Sequence, residues 1–340
     1  MTDERQIRLS ILDLAPIVQG SNAGEALRNS LDLAQHAERW GYHRHWVAEH
    51  HNMVGVASAA TSVLIGYLAG GTSTIRVGAG GIMLPNHSPL VIAEHFGTLE
   101  AMYPGRIDLG LGRAPGSDLN TARALRRKAG GSGDEFPEDV QELQSYFAGT
   151  APVKAVPGIG ANVPLYILGS SDFGARLAAA LGLPFAFASH FAPAYLERAL
   201  ELYRRNFRPS QALSEPYVMI GVNVLASETD EEARFLFSSH QQAILSMLRN
   251  SRSQLPPPVQ SFEESLSPEE RAAIGQWTAI SAIGSPETVR RKLEVFLELT
   301  GADELIATGQ VFDHKARLRS YEILADVFYS HFGSRLKPSA

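Results

Sequence analysis

Apolar positions along this chain fall into short runs, separated by longer stretches in which apolar residues recur at helical spacing. The first run, residues 7–14, predicts a strand. Asn22 then stands where a helix N-cap is needed, with Glu25 three residues later. Leu27, Leu31, Ala34 and Ala37 keep helical period, and Gly41 closes the element. The alternation continues with a strand over 45–48 and a small-residue helix over 57–69. A third strand over 75–84 is broken by Pro85, and a helix follows over 90–102. Tyr103-Pro104-Gly105 turns the chain into a fourth strand within IDLGLG, 107–112.

A polar region, 117–162, comes next. It predicts helices over 119–128 and 138–147, with a flexible Gly130–Gly133 link between them. Strands over 163–168, 185–188, 217–225 and 304–307 alternate with helices over 176–181, 195–207 and 316–328. The helix before the eighth strand is well marked: Ser285 caps it, Pro286 takes its first position and Gly301 ends it. Eight strand–helix alternations predict an α/β fold, a (β/α)8 TIM barrel with insertions. A doubly wound open sheet is the structural alternative. With no internal repeat and no Gly/Ser linker, residues 1–332 read as a single domain and 333–340 as a flexible tail. One insertion, 249–277, contains Pro256-Pro257-Pro258 and an acidic stretch. A loop of this length and composition is expected to be a mobile lid.

Composition narrows the partners. The 340 residues are 44% hydrophobic and 19% charged, with a net charge of −6 and no cysteine. Arg126-Arg127-Lys128 and Arg290-Arg291-Lys292 are short clusters in helical stretches, best read as solvated faces. Nucleic acid and anionic membranes are therefore not expected partners. The absence of cysteine removes disulfides, thiolate nucleophiles and Cys-bound metal, and fits a cytoplasmic protein. The polar start, MTDERQIRLS, lacks the apolar core of a signal peptide, and no window is apolar enough to span a membrane.

The chemistry gathers where strands end. After the fourth strand, glycine, Arg113 and a Pro-Gly breaker follow one another. A forked, permanently charged guanidinium at that place suits a phosphate, although pairing with a neighbour such as Asp118 would make it structural. Leu168-Gly169-Ser170-Ser171 ends the fifth strand and opens a helix. Hydroxyls and free amides at a helix N-terminus bind anions, while simple capping needs only one serine. The third strand holds Gly78, Gly80 and Gly81, which mark either a tight corner or a flat ligand lying on the backbone. His50 and His51 follow the second strand. A metal reading is the alternative: His43 and His45 in H-x-H spacing, with His190 and Asp313 at later strand ends.

These residues carry a family resemblance. WVAEHHN (46–52), VGAGGIMLPNHSPLVIAEHFGTLEAMYPGRIDLGLGRAPG (77–116), YILGSSDFGARLAAALGLPFAFASHF (166–191) and ADELIATGQVFDH (302–314) resemble the luciferase-like flavin-dependent monooxygenases of the bacterial luciferase superfamily, in the family's order. Within the family, the chain is most similar to the bacterial luciferase-like subgroup distinct from the light emitters. The resemblance implies reduced FMN at the C-terminal mouth of the barrel. Arg113, Gly169, Ser170 and Ser171 match the positions that grip its phosphate. Gly80 and Gly81 match a bulge, often a non-proline cis peptide, against the isoalloxazine. His50 matches the histidine implicated in catalysis. Two departures stand out: Ser170 replaces an acidic residue, and the bulge pair is Gly-Gly rather than Ala-Ala. The resemblance further implies molecular oxygen, a small organic substrate such as an aldehyde, and a homodimer built near helix 57–69. With no nicotinamide-binding fold in the chain, a separate flavin reductase would supply the cofactor in transient encounters. A non-catalytic flavin-binding barrel and deazaflavin chemistry remain as alternatives.

Overall fold

Residues 7–113, 119–125, 135–251 and 253–333 are described in the computed structural model. The apolar runs become parallel strands because each is covered on both sides, by the barrel interior and by helices. In chain order the elements are β1 (Arg8–Asp13), α1 (Ala23–Trp40), β2 (Arg44–Val47), α2 (Thr61–Gly70), β3 (Arg76–Met83), α3 (Pro89–Met102), β4 (Ile107–Gly112), α4 (Leu119–Ala124), α5 (Phe136–Ala148), β5 (Leu165–Gly169), α6 (Asp172–Leu181), β6 (Phe185–Phe187), α7 (Leu196–Asn206), β7 (Val218–Ala226), α8 (Asp230–Leu248), α9 (Pro268–Trp277), β8 (Ser281–Gly284), α10 (Pro286–Thr300), β9 (Glu304–Thr308) and α11 (His314–His331). Strands β1 to β7 pair in sequence. β9 then joins β7 to β1, with Arg8 in register with Glu304, and closes an eight-stranded parallel ring. The fold is a (β/α)8 barrel.

Strand parity decides what fills it. Leu12, Trp46, Tyr166, Ala186, Met219 and Ile306 form one apolar cluster inside the ring. A separate and larger core, including Ile11, Val47, Val77, Leu109 and Ile167, packs against the helices. Below the inner cluster, near the strand N-termini, lies a buried ionic layer. Arg44 is 1% exposed. It donates from Nε to Glu304 at 2.8 Å, and from Nη1 to Asp108 at 2.8 Å and the Tyr166 hydroxyl at 2.9 Å. Ser10 donates to the same Glu304 oxygen as Arg44 and Tyr217 to the other, and Trp46 Nε1 and Arg76 donate to Asp108. On the outer side, Asp13 accepts from Arg317 of α11 at 2.5 Å and Ser30 of α1 at 2.6 Å, clipping first and last helices to β1.

The helix signals hold where caps were legible. Asn22 Oδ1 accepts from Glu25 N, Ser285 accepts from Thr288 N, and Gly41 and Gly301 adopt the left-handed conformation. The helix read over 119–128 is described only over Leu119–Ala124; residues 126–128, the Gly130–Gly133 link, Asp118 and the tail from Ser334 lie outside the described residues. Two elements escaped the pattern. β8 pairs with the end of β7 outside the ring, and its four residues, SAIG, are too short and too polar to register as a run. The insertion holds helix α9, whose Ser267 and Glu270 form a reciprocal capping box. Its apolar positions are few, but Leu266 and Ile274 suffice to dock on Ile244 and Leu245 of α8. Leu255 exchanges backbone hydrogen bonds with Ile17 and Gln19. No helix among the described residues is long and apolar enough to cross a membrane.

The ionic layer sets a stability prediction. Arg44→Met should destabilise the fold by about 3–5 kcal/mol, because Asp108 and Glu304 would remain buried without their cation. Denaturant unfolding measures this, and adding Asp108→Asn and Glu304→Gln should recover much of the loss. A loss that the neutral replacements leave unchanged would assign the effect to packing instead.

Candidate active site at the barrel mouth

The C-terminal ends of β2, β3, β4 and β5 are neighbours in the ring, so the residues singled out there converge. Arg113 follows β4, and its guanidinium lies 4.1 Å from the ring centroid of Phe173 in the first turn of α6. That stacking places it beside the loop Gly169-Ser170-Ser171. Ser171 is the N-cap of α6 in extended conformation, yet its side chain makes no cap hydrogen bond. The first-turn amides therefore remain available to an anion, and among the described residues no acidic side chain pairs with Arg113. The donor set suits a phosphate.

Beside it, the Gly80–Gly81 peptide is cis, and β3 shifts register against β4 between Ala79 and Ile82. Side chains are excluded here by neighbours. A Cβ on Gly80 would stand 2.8 Å from Leu12 Cδ1, and one on Gly81 would stand 2.6 Å from the Gly110 carbonyl oxygen. The close approach of β3 to its neighbours therefore demands both glycines, and it leaves a bare backbone edge at the mouth.

His50 leaves the end of β2 half-buried. Burial, reinforced by His51, pushes its pKa below the usual histidine value, while Glu49 and the Ala48 carbonyl pull the other way. Glu49 was overlooked in the sequence pattern. It is 1% exposed and gathers three donors: His51 Nε2 at 2.6 Å, His87 Nε2 at 2.9 Å and Met83 N at 2.9 Å. Its own N–H reaches the Gly81 carbonyl at 3.3 Å. Burial alone would raise its pKa, but His87, the Met83 amide and His51 hold it below the carboxylate range. Glu49 thus ties the bulge of β3 to the histidine turn after β2. An acidic residue in the WVAEHH run was the available signal.

His190 and His240 complete this wall. The His190 ring lies against Gly221 of β7, where an added Cβ would sit 2.1 Å from Nδ1. His240 faces in from α8, between Phe237 and Gln310. Burial first, then the nearby His240 and His50, brings His190 down to about 4. Burial brings His240 to about 4 against a hydrogen bond from Gln310. No local pattern marked His240, since only the fold turns that face of α8 inward. Phe191, next to His190, stacks edge-on against Trp277 at 4.9 Å, so the end of α9 covers this side of the mouth.

The alternative metal constellation does not assemble. Parity points Arg44 and Trp46 into the ring, so His45 faces outward to Asp13 at 3.4 Å. His43 meets Arg8 near the strand N-termini, and Asp313 is taken up in capping α11, where it accepts from Ala316 N. Among the described residues no group of three or more His, Asp or Glu side chains could hold a metal ion.

The chain is similar to known monooxygenases. The family described as "Luciferase-like monooxygenase" matches residues 7–304. A luciferase-like monooxygenase of Escherichia coli is 56% identical over 96% of this chain and 98% of its own length. N-acetyl-S-alkylcysteine monooxygenase of Bacillus subtilis is 33% identical over 94% and 98%. The crystal structure of apo-MsnO8 superposes with a TM-score of 0.85 at 35% identity, covering 95% of this chain and 98% of that one.

The imidazoles of His190 and His240 give a pH prediction. Their folded-state pKa of about 4 lies below the ordinary value of 6.5, so they stabilise the fold above pH 6.5 and lose that contribution as pH falls toward 4. His240→Asn should flatten the decline in unfolding free energy over that window. An NMR titration of His240 with its midpoint near 6.5 would refute the assignment.

Proposed function

The chain belongs to the luciferase-like monooxygenase family, and we propose that it binds reduced FMN at the barrel mouth and uses molecular oxygen to oxidise a small organic substrate. The observation that carries this reading is Arg113, which has no acidic partner among the described residues, standing beside the uncapped N-terminus of α6. Arg113, Gly169, Ser170 and Ser171 would hold the phosphate. The bare edge at Gly80 and Gly81 would take the flat ring. When bound, reduced flavin supplies the electrons that activate oxygen. The chain's own work is to bind, orient and keep water out. His50, kept neutral by burial, can hold or give a proton at the reacting edge. Phe191 and Trp277 shield one side, and the 249–277 insertion acts as a lid that closes over the mouth.

The reduced cofactor would come from a separate reductase in transient encounters within the cytoplasm. The substrate panel should include aldehydes, ketones and thioethers, since one relative acts on N-acetyl-S-alkylcysteine. The protein would work as a homodimer. Helices α2 and α3 leave Val63, Tyr67, Val91 and Met102 exposed, with Val63 72% accessible, and a second copy would cover that apolar face.

Anaerobic titration with reduced FMN and reduced riboflavin tests the site. Arg113→Ala should weaken FMN by about 1.5–3 kcal/mol and leave riboflavin nearly unaffected, because the lost contact is to phosphate. His50→Ala should keep FMN affinity and alter the oxygen reaction. Equal loss for both ligands would make Arg113 structural, and identical oxygen transients would remove His50 from the chemistry. For assembly, sedimentation at micromolar concentration should show a dimer, and Val63→Asp should shift it toward monomer; a wild-type monomer refutes this part alone.

A further inference from the structure

A second cationic site lies at the other end of the barrel. Helix α6 starts at the mouth and ends at Gly182, near the strand N-termini. There a shallow groove of about 430 Å³ is lined by Arg176, Ala180, Arg205, Asn206, Phe207 and Arg208. It holds three guanidinium groups and no carboxylate. Among the described residues none of the three arginines has an ion pair. Several other surface arginines do, Arg198 with Asp172, Arg249 with Glu270, Arg290 with Glu287 and Arg319 with Glu228, while Arg28 and Arg39 also lack one but line no such groove. In a chain of net charge −6, three unpaired arginines around one concavity stand out. Glu201, one turn before Arg205, lines the adjoining groove and forms no ion pair with it. The favourable field at the C-terminus of α7 accounts for Arg205. It does not account for Arg176, in the middle of α6, or for Arg208 beyond α7.

The frame beneath them is fixed. Arg208 N donates to the Ala179 carbonyl at 2.9 Å, and Ser210 Oγ donates to the Gly182 carbonyl at 2.8 Å. Phe207 packs edge-on against the buried Tyr203 at 5.6 Å. The turn after α7 is thereby pinned to the end of α6, so the arginines project from anchored backbone. Forked guanidinium groups pair bidentately with phosphate oxygens, and one phosphate cannot neutralise three of them. We infer that this groove is a binding site for a molecule carrying a di- or polyphosphate, separate from the site at the barrel mouth.

Calorimetric titration of the intact protein with inorganic pyrophosphate at low ionic strength tests the inference. Saturable binding should occur, weaken as salt is added, and fall at least about tenfold in Arg176→Ser/Arg205→Ser/Arg208→Ser. All three side chains are exposed, so the variant should keep the wild-type melting temperature. Arg113→Ala should bind pyrophosphate at this groove as wild type does, which keeps the outcome independent of the FMN reading. ADP distinguishes the source: tighter binding than pyrophosphate indicates a nucleotide resting on Phe207, and equal binding indicates the phosphoanion alone. No saturation at millimolar pyrophosphate, or equal affinity in the triple variant, overturns the proposal.

Discussion

The structure depends on a positive charge sealed inside its barrel. Arg44 cannot be left without partners at 1% exposure, and closing the ring is what supplies them. Glu304 comes from the last strand, Asp108 from the fourth and Tyr166 from the fifth. These partners stand two strands from β2 on one side and two and three on the other, and the curvature of the ring turns them toward one guanidinium. The cluster therefore couples ring closure to charge compensation, and a register slip of one residue would turn Arg44 out of the lumen. Above it the Trp46 and Tyr166 rings pack edge-on at 4.9 Å and fill the middle of the barrel. The interior is a plug with an ionic base, which leaves the mouth as the place for chemistry.

At the mouth the electrostatics are arranged differently. The base of the barrel holds fully paired charges, whereas the wall above holds imidazoles kept neutral by burial. Glu49 is the exception, a buried carboxylate balanced by two histidines and an amide. Arg113, at the end of β4, sits against Phe173 of α6. A charged phosphate and a desolvated reaction centre place opposite demands on their surroundings, and this layout separates them.

Much of this was legible in the sequence, for local reasons. Caps at Asn22 and Ser285, breakers at Pro85 and Gly105, and the alternation of runs act within a few residues, so the barrel and the strand-end positions of His50, Arg113 and Ser171 could be read directly. The nearly polar insertion hid α9, because a short amphipathic helix that docks through Leu266 and Ile274 carries little signal of its own.

Tertiary structure decided the rest. The sequence presented His43 and His45 as a pair sharing one face. Only the direction of β2 in the closed ring shows that this face looks away from the lumen, toward Asp13. It likewise presented Glu49 as one residue in a polar run, and His240 as one of many along a helix. Their partners, His87 and Met83 for one and Gln310 for the other, lie far along the chain and meet them only when the strands are in register. Sequence thus determined the elements and the chemistry available at their ends, because hydrophobic period and capping act over a turn or two. Burial, charge pairing and the neutral state of the mouth imidazoles belong to the assembled barrel, because desolvation is a property of everything that surrounds a group.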